Sequence, residues 1–237
     1  MTRICASSFA LLFALAAGFA AAQAAGVPNN AAREELAPYA PPLVTRDKWQ
    51  AKPALPGLVP HTPVAIIIHH TGERQNRRIP VETKMRNLQT FSQRPGQVGT
   101  HAKPAWPDVP YHFYIDVTGR IAEGREVRFA GDTNTGYDTR GYIQVVVEGD
   151  FDREQPAPEQ MSALRDLLVW LSLSWNVPTE KISVHKDHAP TSCPGRNFMA
   201  MLPTLRAGVL SQRGDVVARL CTRAPSAAAR QPYCRSK

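Results

Sequence analysis

The stretch PVAIIIHHTG, residues 63–72, is the segment on which the fold turns. Val64 to Ile68 are consecutive apolar residues, mostly β-branched, and they end in a histidine pair. The run is too short and too branched for a helix and reads as a buried strand. Adjacent strand residues point to opposite faces of a sheet, so only one of His69 and His70 can enter a given site.

Working outward from that strand, IPVETKMRNLQTFSQRPG (79–96) reads as a helix. Val81, Met85, Leu88 and Phe91 recur at helical spacing, and Pro95-Gly96 stops it. VPYHFYIDVTGRIAEGREV (109–127) alternates, turns at Thr118-Gly119 and alternates again, the pattern of a β-hairpin. YIQVVVEGDF (142–151) is another core strand, closed by Gly149. APEQMSALRDLLVWLSLSW (157–175) carries the strongest helical stripe, formed by Met161, Leu164, Leu168, Leu171 and Trp175 and widened by Leu167. A short strand is expected over Val177–Val184, then a last helix over 195–210, kinked or broken at Pro203. The order of elements predicts a single α/β domain with a mixed central β-sheet flanked by helices.

The ends have their own character. Arg3, the uncharged run FALLFALAAGFAAA (9–22) and the small residues of AQA (22–24) compose a cleavable secretory signal over 1–25, too short to anchor. No transmembrane segment follows it in the sequence, so an exported, periplasmic or secreted protein is expected. Residues 26–43 are rich in proline and alanine and read as a linker or strap, leaving 44–210 as the domain and 211–237 as a basic tail. The formal net charge of +8 loses only Arg3 with the signal. A basic exported chain meets anionic envelope polymers, and Arg213, Arg219, Arg223, Arg230, Arg235 and Lys237 place much of that charge in the tail. Zinc-finger spacing, aromatic-basic RNA-binding motifs and phosphate-cradling glycine loops are missing, so no nucleic-acid partner is expected, and the protein is expected to be a monomer.

Cys5 leaves with the signal, and three cysteines remain: Cys193, Cys221 and Cys234. Cys221 and Cys234 bracket a short polar segment, and a disulfide between them is the economical pairing in an oxidising compartment. Cys193 is then unpaired. It sits in VHKDHAPTSCPG (184–195), a loop that turns back so that His185 and Cys193 come within ligand distance of one ion. Two imidazoles and a thiolate suit zinc, with one position left for water. The spacing alone equally suits surface histidines and a simply buried thiol.

Four motifs in order, IIIHHT, PYHFYIDVTGRI, GYDTRGYIQVVVEGDFD and VHKDHAPTSCPG, resemble the zinc-dependent N-acetylmuramoyl-L-alanine amidases related to peptidoglycan recognition proteins and phage amidase lysozymes. VTRDKWQA (44–51) also resembles the first segment of recognition-protein domains, and the likeness runs from about Val44 to Leu205. It implies zinc (Zn2+) held by His69, His185 and Cys193, with peptidoglycan or a muropeptide as substrate. It implies that Tyr111, and with it Thr191, stabilises the oxyanion as a metal-activated water attacks the amide between N-acetylmuramic acid and L-alanine. His70 then faces away, and His188 falls on no ligand position. Val146 occupies the place of a glutamate used by cytoplasmic recycling relatives, which leaves Glu148 structural. Relatives that bind without hydrolysis typically lose the cysteine, so the motifs favour an enzyme over a recognition module. The chain departs from the family in GDTNTGYD (131–138), where Thr133 and Asp138 replace a histidine and an asparagine. The segment 92–110 is longer than the family pattern and is placed to wall the substrate groove.

Overall fold

The computed structural model describes residues 34–223 and 233–234. The expected signal, the first part of the strap, and tail residues Arg230, Arg235 and Lys237 lie outside them. The strands of the main sheet are β1 (Leu43–Val44), β2 (Ala65–His70), β5 (Phe113–Ile115), β6 (Ile121–Glu123), β7 (Tyr142–Val147) and β8 (Ile182–Val184). They lie in the order β1-β6-β5-β7-β2-β8. Only the β5–β6 hairpin pairs antiparallel; every other pairing in the sheet is parallel. β2 therefore has a parallel neighbour on each side, and Ile66, Ile67 and Ile68 are wholly buried, as an unbroken apolar run in a covered sheet requires.

The helices that cover the sheet among the described residues are α1 (Val81–Ser92), α2 (Pro158–Ser174) and α3 (Arg196–Arg223). α2 and α3 cover one face of the sheet, where Ile66, Ile68, Phe113, Ile143, Val145 and Val147 meet Leu164, Leu168 and Phe198. α1 covers the other face through Val81 and Met85, packed with Trp49, Tyr114 and Val146. His69 stands in register with Val146 and His70 with Val147. The two histidines thus divide between the α1 face and the α2–α3 face.

Four boundaries differ from the sequence expectation. α1 ends at Ser92, and the residues after it form a small antiparallel hairpin, β3 (Gly96–Val98) with β4 (His101–Lys103). The last strand is only Ile182–Val184, because a 3-10 turn at Thr179–Lys181 takes the residues before it. α3 is continuous through Pro203 and runs on to Arg223, well past Leu210. Proline in a helix interior costs roughly 3 kcal/mol, which burial of several apolar side chains at about 1.5–3 kcal/mol each offsets. Phe198, Leu202, Leu205, Val209, Val216 and Leu220 all lie in the α2–α3 core. The core also begins before residue 44, since Leu36 is 1 % exposed and packs in the same cluster. Cys221 and Cys234 are joined in a disulfide, and the Tyr233 hydroxyl donates to the Leu173 carbonyl at 3.4 Å. Among the described residues, no helix is long and apolar enough to cross a membrane.

Candidate metal centre

Three ligand-type residues converge at the carboxyl ends of β2 and β8. His69 is the penultimate residue of β2 and is 2 % exposed; His185 opens the 3-10 turn that follows β8; Cys193 lies on the loop beyond. Their candidate ligand atoms all lie within 4.8 Å of one another. The Cys193 Sγ is 3.9 Å from His69 Nδ1, and the His69 and His185 rings are 4.6 Å apart. The loop is held in this shape by its own backbone. The Lys186 N–H donates to the Cys193 carbonyl, the Ala189 N–H returns to the His185 carbonyl, and the Thr191 hydroxyl accepts the Cys193 N–H. Gly195 follows at φ +91°, with the Phe151 carbonyl carbon 2.5 Å from where a Cβ would stand, so only glycine fits there.

Burial sets the electrostatics of the three side chains. Burial holds the His69 imidazole well below its ordinary range and lowers His185 to about 4, and the neighbouring histidines add to both effects. Burial pushes the Cys193 thiol up to about 12. The free site is therefore two neutral imidazoles and a thiol, and a divalent cation reverses the thiol's preference by stabilising the thiolate. Buried nitrogen and sulfur donors of this kind suit zinc. The fit has support in the hydrogen bonding: His69 Nε2 is buried without a partner among the described residues. His185 Nε2 is held by the Thr135 hydroxyl at 2.8 Å, which leaves Nδ1 as its other ring nitrogen. The remaining two histidines nearby are committed elsewhere. His70 Nδ1 accepts the Phe151 N–H, and His188 Nε2 lies 2.8 Å from the Ser183 hydroxyl.

Around the three donors lies a groove of about 700 Å³, a size suited to a small-molecule or peptide ligand. The Tyr111 ring stands 5.3 Å from the His69 ring on the groove wall. Burial, with Cys193 and Tyr137 nearby, raises the Tyr111 hydroxyl far above neutrality, so it remains a donor. Thr191 also lines the groove. Glu148 does not stand free as a base: it accepts from the Asn76 and Val117 N–H groups and pairs with Lys84 at 2.6 Å. Thr133 faces the groove, whereas Asp138 is exposed, pairs with Arg140 and lines no part of it. Gln97, Val98 and Trp106 of the 92–110 segment form part of the wall.

Three residues beside the donors were not picked out from the sequence. Thr135 holds His185, and Tyr137 stacks edge-on to it at 5.4 Å. Gln144 is fully buried, accepts from the Tyr137 hydroxyl, and interacts with the His69 ring, though its amide nitrogen has no completed hydrogen bond. A glutamine inside the apolar run YIQVVVEG was the available signal, because buried polar side chains carry a hydrogen-bonding task.

A mixed sheet with a groove over the carboxyl ends of its strands, floored by two histidines and a cysteine, defines an α/β domain with a candidate metal centre. The profile of the N-acetylmuramoyl-L-alanine amidase family, Amidase_2, matches residues 60–196, and the chain belongs to that family. Peptidoglycan-recognition protein SD of Drosophila simulans is 28 % identical over 169 residues, covering 68 % of this chain and 84 % of that one. The N-acetylmuramoyl-L-alanine amidase of Sus scrofa is 26 % identical over 202 residues, 79 % of this chain but only 31 % of the pig protein. Among solved structures, the N-acetylmuramoyl-L-alanine amidase LysC from Clostridium intestinale superposes with a TM-score of 0.56 at 27 % identity, covering 71 % of this chain and 97 % of that one.

Proposed function

We propose that this protein is an exported zinc amidase that hydrolyses the amide between N-acetylmuramic acid and L-alanine in peptidoglycan. The observation that carries the reading is the convergence of His69, His185 and Cys193 within 4.8 Å, at a groove that Tyr111 also lines. These three side chains would hold the ion, and zinc when bound activates water and polarises a carbonyl. Tyr111, protonated throughout the neutral range, donates a hydrogen bond to the carbonyl oxygen as negative charge develops on it. The Thr191 hydroxyl accepts the Cys193 N–H and keeps its own proton for a second donation to that oxygen. Thr135 fixes the His185 ring, so that this donor needs little rearrangement, and the buried Gln144 amide lies beside the His69 ring. The engagement of His70 and His188 elsewhere favours an open coordination position, as catalysis requires, over a closed structural site.

The relatives include recognition proteins as well as amidases, so the test must separate cleavage from binding. Mature protein is incubated with purified sacculi, with and without a chelator, and the products are analysed by mass spectrometry. The expected result is free stem peptide with an N-terminal L-alanine, lost on chelation and in Cys193→Ser. Sacculus binding without new amine termini would replace this reading with that of a recognition module.

A further inference from the structure

The 92–110 segment that walls the groove is tied down by one buried ammonium group. Lys103, the last residue of β4, is 2 % exposed. Its three N–H donors all go to carbonyl oxygens: Ser92 at 2.9 Å, Arg94 at 2.6 Å and Pro104 at 2.8 Å. The Nζ also lies 4.4 Å from the Trp106 ring centroid and 5.0 Å from that of Phe91. A buried charge is costly unless its hydrogen bonds are complete, and here a carbonyl cage and two aromatic faces complete them.

The position of the cage matters more than its strength. Ser92 is the last residue of α1, at the negative end of the helix dipole, and the last turn of α1 contains no basic residue. The cap comes instead from across the hairpin, through Lys103 Nζ and the Trp106 N–H, both donating to the Ser92 carbonyl. The elements joined in this way supply the groove wall: Leu88 and Phe91 from α1, and Val98, Gly99 and Trp106 from the insert. Phe91 and Val98 are 45 % and 41 % exposed, so neither is fixed by burial. Lys103 itself does not line the groove.

We propose that Lys103 is a positioning residue for ligand binding, which holds the α1–insert wall in its binding shape while leaving the metal donors untouched. The proposal rests on the reading that the groove takes a muropeptide. The test compares zinc-loaded wild type with Lys103→Met, and with Lys103→Gln should the methionine variant fail to fold. Muropeptide Kd is measured by calorimetry, KM and kcat by amine release, and zinc content and amide hydrogen exchange on the same samples. Removal of preorganised binding shared by ground state and transition state raises Kd and KM, here by about tenfold, with kcat within about twofold. Zinc content is unchanged, and exchange accelerates at the Trp106 amide but not in β2 or β7. Unchanged Kd and KM overturn the proposal, and so does a kcat that falls together with zinc content and global stability. Cleavage by neither protein overturns the amidase reading alone, because the ratio of binding constants still decides Lys103. A wild type that neither binds nor cleaves overturns both.

Discussion

Acidification should destabilise this protein through His112, one residue from Tyr111. Its Nδ1 accepts the Gln144 N–H at 2.8 Å, and its Nε2 donates to the Phe129 carbonyl at 2.9 Å. Both nitrogens are thus assigned in the neutral ring, and the side chain is 1 % exposed. A second proton at Nδ1 would break the first bond and place a charge beside His61, stacked at 5.8 Å, and near Arg125. Burial first, then these neighbours, lowers the folded pKa to about 3, against 6.5 for an unperturbed histidine. The sign follows from proton counting. Between these values the unfolded chain binds a proton that the folded one refuses, so stability falls as pH drops below about 6.5. At about 1.4 kcal/mol per pH unit, the loss from His112 between pH 7 and pH 5 is about 2 kcal/mol. The assay is urea unfolding of chelator-treated protein at both pH values, for wild type and His112→Gln. Comparing the two cancels the shared contributions of carboxylates and other histidines. Wild type should lose about 2 kcal/mol more than the variant over that interval. Equal losses in the two proteins would refute the reasoning, as would an NMR titration of the His112 ring near pH 6.

Tyr111→Phe should retain zinc and lower kcat by about 10²–10³, as loss of one oxyanion donor does elsewhere; measured metal content separates this from a damaged site, and an unchanged kcat removes Tyr111 from the mechanism. Gln144→Leu conserves volume but takes away the amide beside His69, and zinc affinity by chelator competition should weaken by about 10–100-fold. Unaltered zinc affinity would show that Gln144 serves packing alone. Gly195→Ala puts a Cβ 2.5 Å from the Phe151 carbonyl carbon at φ +91°, so thermal unfolding should report a loss of about 1–3 kcal/mol. Zinc binding should suffer as well, since Cys193 lies two residues away; a variant as stable as wild type would mean the loop relaxes freely.

What could be read from the sequence, and what could not, divides by whether the signal is local. β2 and α2 were legible because burial writes its period into neighbouring residues, as in Ile66–Ile68 and the Leu164–Leu168–Leu171 stripe. The end of α3 was not, because the short apolar groups around Val216 and Leu220 are broken by Arg213, Gly214, Asp215 and Arg219 and declare themselves only when packed on the core. The β3–β4 hairpin left no alternation to read, since Gly96 to Ala102 are exposed throughout and Lys103 is anchored by carbonyls rather than by a charge pattern.

The donor cluster is the instructive intermediate case. His69 and Cys193 are 124 residues apart, and no spacing rule connects them. Topology does. β2 and β8 are adjacent and parallel, so their carboxyl ends share one edge of the sheet, where open α/β folds bind their ligands. His69 is one residue from the end of the first strand and His185 follows the second directly. Any sequence that builds two neighbouring parallel strands, with a histidine near or just beyond the carboxyl end of each, has brought two imidazoles to one edge before any side-chain detail is chosen. The loop from His185 to Cys193 then needs only to fold back on itself, which the Lys186 N–H bond to the Cys193 carbonyl and the glycine at 195 achieve. Thr135 and Gln144 are of another kind: Thr135 holds one nitrogen of the His185 ring and Gln144 lies beside the His69 ring, through contacts set by the finished fold. Their tasks were therefore invisible until the strands were in register, even though the residues that they orient were not.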